Sequence, residues 1–482
     1  MTNNTPRPVL VWFRDDLRLT DHPALQAAAA EGAPLVCVYV LDEVSPGVRP
    51  PGGASRWWLA QSLRSLAASL EERGTSLLLR RGRAATIVAE LAKQIDAAAV
   101  HWNDIAIPPH RAIADDLAER LAIAGIASQQ HDGDLLAPPS AIRNKDGRGL
   151  RVFTPFWRRV LALGDPPQPL PAPKQLRAGP QVDGDKLEDW ELEPTKPDWA
   201  GGLRAAWQVG EAAAQRKLAE FLRRPGGYAE DRDRPDRDGT SSLSPHLRFG
   251  EISPRQIWHA ARFAADERPA LARDVDKFLS ELGWREFCRH LLFDLPDLAT
   301  RALRSEFDDF PFITDDAALH AWQHGRTGYP IVDAGMRQLW QTGTMHNRVR
   351  MVVASFLVKH LLIDWRRGEE WFWDTLVDAD PGSNPANWQW VAGCGADAAP
   401  YFRVFNPVLQ GEKFDPEGDY VRRYVPELAG LPPALIHQPW DATPVELAAA
   451  GVALGDNYPA PIVDHKAARE RALAAYAELR KA

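Results

Sequence analysis

Four short apolar runs near the amino terminus, with strand signals nearly vanishing beyond residue 200, constrain this chain more than any other feature. They are PVLVWF at 8–13, PLVCVYVL at 34–41, SLLLR at 76–80 and AAVHWN at 98–103. Helical patterns rich in Ala, Leu and Arg separate them, near 54–73, 84–95 and 109–124. Apolar strands that alternate with helices form a parallel sheet covered on both faces and joined by right-handed crossovers. The first strand-to-helix turn reads RDDLRLTD and not GxGxxG, so no dinucleotide fingerprint accompanies the sheet. Residues 133–200 are Pro-rich and weakly periodic, as in DPPQPLPAPK, and read as an inter-domain connection. Beyond them the periodicity is almost wholly helical, at 210–224, 254–265, 270–293, 315–324, 330–342, 345–363 and 367–376. The expected architecture is an α/β, doubly wound parallel-sheet domain over 1–132, a linker over 133–200 and an all-α domain over 201–482.

Composition narrows the function classes. A chain of 482 residues is too long for a single core. No apolar run approaches the roughly 20 residues of a membrane span, and the start lacks signal-peptide character. Cys37, Cys288 and Cys394 lie far apart and make neither a disulfide framework nor a CxxC metal pair. A reduced, cytoplasmic protein without a metal is expected. The net charge of −8 argues against a nonspecific nucleic-acid coat. It leaves room for a local basic groove: Arg143, Lys145, Arg148, Arg151, Arg158 and Arg159 crowd one segment, for which a solvated face and DNA contact are equally good readings. The chain has 18 Trp against 8 Tyr, and Trp340, Trp365, Trp371, Trp373, Trp388 and Trp390 fall within 325–416. Such π-rich, oxidisable side chains suit flavin chemistry or base stacking.

Four constellations carry chemistry. Tyr228 is followed by DRDRPDRDGTSSLSPHLRFGEISP, where Thr240, Ser241, Ser242 and Ser244 gather hydroxyls and Ser244-Pro245 opens a helix. Such a cluster suits a phosphate, although turn and capping chemistry alone would explain it. In DVDKFLSELGWREFCRHLLF, helical spacing puts Glu281, Trp284, Arg285 and Cys288 on one face. That face reads as the floor of a pocket for a planar ligand, or as a plain Glu–Arg pair beside a packed Trp. In MHNRVRMVVASF, Asn347, Arg350 and Met351 share a face. Core packing explains Met351, but burying Asn347 and Arg350 needs partners, for which Asp378 and Asp380 are candidates. In NWQW, Trp388 and Trp390 point in nearly opposite directions.

In this order, these motifs closely resemble the DNA photolyase/cryptochrome family. The likeness runs through VWFRDDLRLTDHPAL, RVFTPFW, DGTSSLSPHLRFGEISPRQ, ELGWREFCRHL, GRTGYPIVDAGMRQL, MHNRVRM, ASFLVKHLLIDWRRGE, NWQWVAGCGADAAPYFR and FNPVLQGEKFDP. It is greatest to the bacterial photolyases of cyclobutane pyrimidine dimers. The resemblance implies an antenna-binding α/β domain, a long linker and a helical domain that binds FAD. Tyr228, Thr240, Ser241, Ser242, Leu243 and Ser244 would hold the phosphates and ribityl chain. Asn347 would face the reactive flavin nitrogen, Arg350 and Asp378 would pair beside the ring, and Asp380 would touch its pyrimidine edge. Phe278, Glu281, Arg285, Ala379 and Asn384 complete the implied FAD set. Reduced FAD anion, excited by blue or near-UV light, would give an electron to the dimer and take it back after the ring splits, with no net redox change. Substrate contacts would come from Glu281, Trp284, Asn347, Met351 and Trp390, with Arg232, Arg285, Arg348, Arg403 and Gln410 on the DNA side. Photolyases as a class extrude the damaged pair of adjacent bases from the duplex. Extrusion costs a few kcal/mol, and stacking returns about 1–3 kcal/mol per base. The partner is UV-damaged DNA, single- or double-stranded, and a monomer is expected.

Two features depart from the family pattern. Trp388 and Trp365 match the first two members of its electron-transfer chain, but the surface position is Phe312, which is much harder to oxidise. Either photoreduction is slow, or the hole leaves through another aromatic, with Trp340, Trp371 and Trp373 as candidates. The usual Trp before MHN is Thr344, an expected loosening of local packing. For the antenna, 5,10-methenyltetrahydrofolate is the first expectation and a deazaflavin or no antenna the second. Asp104, Pro109 and His110 lie near the loop where folate-type relatives carry an acid. A cryptochrome-type photoreceptor and a 6-4 photolyase are the competing functions. Against the first stands the absence of a tail after the last helical pattern. Against the second stands Met351, where that branch typically has histidine.

Overall fold

The computed structural model describes residues 6–224, 226–398 and 402–479. Ala399, Pro400 and Tyr401 of the ADAAPYFR motif and the last three residues lie outside the described residues. Contacts group the chain into two compact units, one of 1–226 with 241–296, the other of 227–240 with 297–482.

The first unit contains the sheet. Its strands are β1 (Val9–Phe13), β2 (Leu35–Leu41), β3 (Leu77–Arg81), β4 (Ala99–Asn103) and β5 (Ala127–His131). They are all parallel, in the order β3-β2-β1-β4-β5, with Val9 opposite both Leu35 and Ala99. Every residue of β1, β2 and β4 is buried, as continuous apolar strands require when helices cover both faces. The four expected strands and the helices Gly53–Glu71, Ala84–Gln94 and Pro108–Ile123 form as read. β5 escapes an apolar-run reading because it is an edge strand of sequence ASQQH, mostly exposed. Between 133 and 200, the Phe153–Ala162 helix forms, and backbone bonds tie later residues to the sheet. Leu35 N donates to Arg177 O (2.7 Å), Gly179 N to Leu35 O (2.8 Å) and Asp185 N to Leu79 O (2.9 Å). Two longer helices, Pro254–Glu267 and Ala272–Asp294, complete the unit. The first starts at a capping box between Ser253 and Gln256.

In the second unit, helices surround one apolar core that includes Trp322, Trp365, Trp373 and Trp388. The helices that matter for function are Pro330–Thr342, Asn347–Ser355, Trp365–Thr375, Ser383–Ala392 and Pro407–Phe414. The pattern at 345–363 predicts one helix. Instead, α geometry stops at Ser355 and a π turn runs over Phe356–His360. Such turns recur at functional sites. Gly368 lets the Trp365–Thr375 helix approach its neighbour: a Cβ there would run into the Trp388 ring.

Candidate active site

In the second unit, the site is built on the first turn of the Asn347–Ser355 helix. His346 caps it, its Nδ1 accepting from Arg348 N at 3.2 Å. Burial pulls the His346 pKa down to about 4, so the ring stays neutral and keeps that lone pair available. Asn347 is exposed, while Arg350 and Met351 are half-buried. Arg350 Nη2 donates to both Asp378 oxygens (3.1 and 2.9 Å), and Nε donates to Met345 O (2.7 Å). Asp378 is thus the partner that Arg350 requires. Asp380 Oδ1 instead accepts from Gly382 N (2.8 Å) and Ser383 N (2.7 Å), just ahead of the Ser383–Ala392 helix. Ala379 and Asn384 are buried beside it, and Asn384 Nδ2 donates to Glu369 Oε1 at 2.8 Å. Thr344 Oγ1 lies 3.4 Å from Arg350 Nη2, so the residue in the expected Trp position adds a polar contact to this cluster.

The tryptophans separate by burial. Trp388 is in the core, edge-on to Phe372 and Trp322, with centroids 5.0 and 6.2 Å away. Trp365 is fully buried, with Arg366 4.7 Å over its ring. Trp390 is half-buried and donates from Nε1 to Asp397 O at 3.0 Å. This is the opposite pointing expected for NWQW. Phe312 is half-buried and meets Phe310 at 4.7 Å. Trp340 is 57% exposed and stacks on Trp371, whereas Trp373 is buried in the core. Arg403 is exposed with its guanidinium 4.8 Å from the Phe405 ring, and Gln410 is half-buried on the Pro407–Phe414 helix. The 227–240 segment brings Tyr228, Arg232 and Thr240, all half-buried, into the same unit. It also brings Asp233, which pairs with Arg348 at 2.9 Å.

The first unit carries the other motifs. Ser241, Ser242 and Leu243 lead into the short Ser244–Arg248 helix, with Ser242 at φ 51°. On the Ala272–Asp294 helix, Phe278 is buried against Phe221 (4.7 Å) and Glu281 pairs with Lys277 (2.8 Å). Trp284 stacks on Phe153 at 3.9 Å and 6°, so one of its faces is taken. Arg285 turns its fork to Asp134 (2.9 Å) and Glu286 (3.1 Å), leaving Nε buried without a hydrogen-bond partner. Glu286 is fully buried, and that burial pushes its carboxyl up to about 7. Sequence reading missed Asp134 and Asp233 because both partners are remote in the chain; each lies in a polar loop with no periodicity.

The sheet order reverses between β1 and β4, the place where open α/β sheets bind ligands. A cleft there is lined by Asp15, Asp16, Arg18, Asn103, Asp104 and Asp134, among others. Asp104 Oδ1 is buried without a hydrogen-bond partner, and burial raises its pKa. Arg14 Nη2 reaches across to His110 O at 2.7 Å.

Comparison with known proteins places these features in a class. Residues 9–174 match the DNA photolyase family model, and residues 278–478 match the FAD binding domain of DNA photolyase. The chain is 52% identical to the deoxyribodipyrimidine photo-lyase of Agrobacterium fabrum, over 98% of both proteins. It is 39% identical to cryptochrome-1 of Arabidopsis thaliana, covering 96% of this chain and 69% of that protein. The crystal structure of a bacterial class III photolyase from Agrobacterium tumefaciens superposes with a TM-score of 0.95, at 50% identity, over 100% of both chains. The fold is that of a flavoprotein with a photolyase-type FAD domain. The chain belongs to the DNA photolyase/cryptochrome family.

Proposed function

We propose that the protein repairs cyclobutane pyrimidine dimers in DNA, driven by light. One observation carries the reading: the first five residues of the Asn347–Ser355 helix hold an exposed amide, a half-buried guanidinium and a half-buried thioether, from Asn347, Arg348 and Met351. An amide for a cofactor edge, a cation for a phosphate and a soft apolar contact for a damaged base are what dimer repair asks of one surface. The full-length relative named deoxyribodipyrimidine photo-lyase supports the same reading.

The donor set fits FAD. In one unit the reading assigns to it Tyr228, Thr240, Asn347, Arg350, Asp378, Ala379, Asp380 and Asn384; in the other, Ser241, Ser242, Leu243, Ser244, Phe278, Glu281 and Arg285. When bound, FAD supplies light absorption and one-electron chemistry, in its reduced anionic form. The protein's own work is orientation. The Arg350–Asp378 pair is prearranged and needs no reorganisation on binding. The amide of Asn347 both donates and accepts, which suits a cofactor that changes its protonation at one nitrogen. For the lesion, the reading assigns Glu281 and Trp284 in the one unit and Asn347, Met351 and Trp390 in the other, with Trp284 and Trp390 as stacking residues. Arg232, Arg285, Arg348, Arg403 and Gln410 meet the strand. Trp388 and Trp365 are the inner electron donors. For the antenna, the switch-point cleft takes 5,10-methenyltetrahydrofolate, with Asp104 as its acidic contact.

The test is illumination of the reduced holoprotein with a thymine-dimer oligonucleotide. Restored thymines support the reading. A fully reduced flavin that leaves dimers intact refutes it in favour of a cryptochrome-type photoreceptor, and repair of 6-4 lesions alone favours the other photolyase branch. Binding of the folate to wild type but not to Asp104→Ala tests the antenna assignment.

A further inference from the structure

The guanidinium of Arg348 is held on three sides. Nη2 donates to Asp233 Oδ2 at 2.9 Å, Nη1 lies 3.9 Å from the Met351 sulfur, and the Phe414 ring covers one face at 4.4 Å. Nε is buried with no hydrogen-bond partner in the protein. The in-plane direction is therefore set by Asp233 and the tilt of the plane by Phe414. Lys413 reaches over the same ring at 5.1 Å.

Phe414 is itself fixed from behind. The carboxylate of the next residue, Asp415, accepts from Tyr420 N and Val421 N, each at 3.0 Å, while His437 Nε2 meets Asp415 O at 2.7 Å. Tyr420 OH donates to Gln338 Oε1 at 2.7 Å, and His346 N donates to the same oxygen at 3.3 Å. His346 caps the helix that carries Arg348, so a ring of contacts runs from the cap through Gln338, Tyr420 and Asp415 to Phe414 and back to Arg348. The aromatic platform is held in place by bonds that Arg348 does not make.

We propose that Phe414 is a positioning residue: it orients the Arg348 guanidinium so that the remaining N–H of Nη1 and of Nη2, and not the buried Nε, meet a backbone phosphate of the lesion-bearing strand. A planar fork recognises phosphate through two parallel bonds, which is costly to arrange from a freely rotating side chain. This inference rests on the DNA-repair reading and adds to it the residue that sets the geometry.

The experiment measures binding of the reduced holoprotein to single-stranded oligonucleotides with and without one thymine dimer, over a range of salt, for wild type, Phe414→Leu, Phe414→Tyr, Arg348→Ala and the Phe414→Leu/Arg348→Ala double variant. Phe414→Leu should weaken dimer binding about three- to fivefold, the size of a partly exposed cation–π contact. Its salt slope should stay at the wild-type value, since no charge is lost. Arg348→Ala should reduce the slope by about one. Phe414→Tyr, which keeps the ring face, should bind as wild type does. In the Arg348→Ala background, Phe414→Leu should add no further loss. An equal loss in both backgrounds would mean that Phe414 acts by packing and would overturn the proposal, as would wild-type binding by Phe414→Leu. A wild type that does not prefer the dimer strand refutes the repair reading instead; the double-variant comparison on total DNA affinity still decides the clamp.

Discussion

The Trp340 and Trp371 rings lie 9° from parallel with centroids 6.1 Å apart. Trp340 is 57% exposed, so the pair joins solvent to a position one helical step from core residue Phe372, which packs on Trp388. Phe312, in contrast, meets Phe310, another ring that is hard to oxidise. The stacked pair supplies oxidisable rings where the Phe312 position has none. The Trp340→Phe/Trp371→Phe/Trp373→Phe variant should lose flavin photoreduction down to the level that added reductant gives alone, read as bleaching of the flavin absorbance under illumination. Trp373 is buried in the core, so Trp373→Phe by itself should change the rate least. Unimpaired photoreduction in the triple variant would show that another route carries the hole.

Asp378 is the buried half of its pair with Arg350. Asp378→Ala leaves a half-buried guanidinium without its carboxylate. The expected cost is about 1–3 kcal/mol of stability, with FAD lost more readily on dialysis. Chemical denaturation of apo and holo forms checks both. Loss of stability with FAD retention intact would confine the pair to a structural role.

One face of Trp284 is occupied by Phe153, which leaves a single face for a base. Trp284→Ala should weaken binding of a dimer-bearing strand by about 1–3 kcal/mol, and Trp284→Phe by less. Binding of the intact strand should change little. A uniform loss on both strands would argue against stacking on the lesion.

Lys359 is nearly fully buried in the π turn, where Nζ donates to Arg403 O at 2.5 Å and lies over the Phe402 ring at 4.6 Å. Burial, with the Arg403 charge adding, pulls its pKa from 10.5 down to about 7. Between those values the unfolded chain binds the proton more tightly than the folded one, so stability should rise with pH by up to about 1.4 kcal/mol per unit. The gain is complete above the unfolded value and lost as pH falls toward 7. Lys359→Met should flatten that segment of the curve, read from urea midpoints across the window. Identical slopes in both proteins would remove Lys359 as the source.

How much of this was legible depended on where the signal lay. β1, β2 and β4 announced themselves because a strand buried on both faces is a continuous apolar run. β5 did not, because an edge strand of sequence ASQQH carries no such run. The break at Ser355 was hidden, since a π turn keeps the same apolar residues as the helix it interrupts. Arg350 could be matched to Asp378 because a buried cation on an apolar helix demands a carboxylate. Asp233 beside Arg348 and Asp134 beside Arg285 lie 115 and 151 residues from their partners, and no local pattern reports such pairing. For Arg285, the expected face shared with Glu281 was correct in spacing, yet Lys277 and Asp134 supplied stronger partners to each.

The most direct test of the account is quantification of thymines restored in a dimer-containing oligonucleotide, after blue or near-UV illumination of the protein with its FAD fully reduced. The account predicts light-dependent repair with no net consumption of reductant, strongly reduced in Met351→Ala and Trp284→Ala. Intact dimers under those conditions, with the flavin verified as reduced and the strand bound, would contradict it.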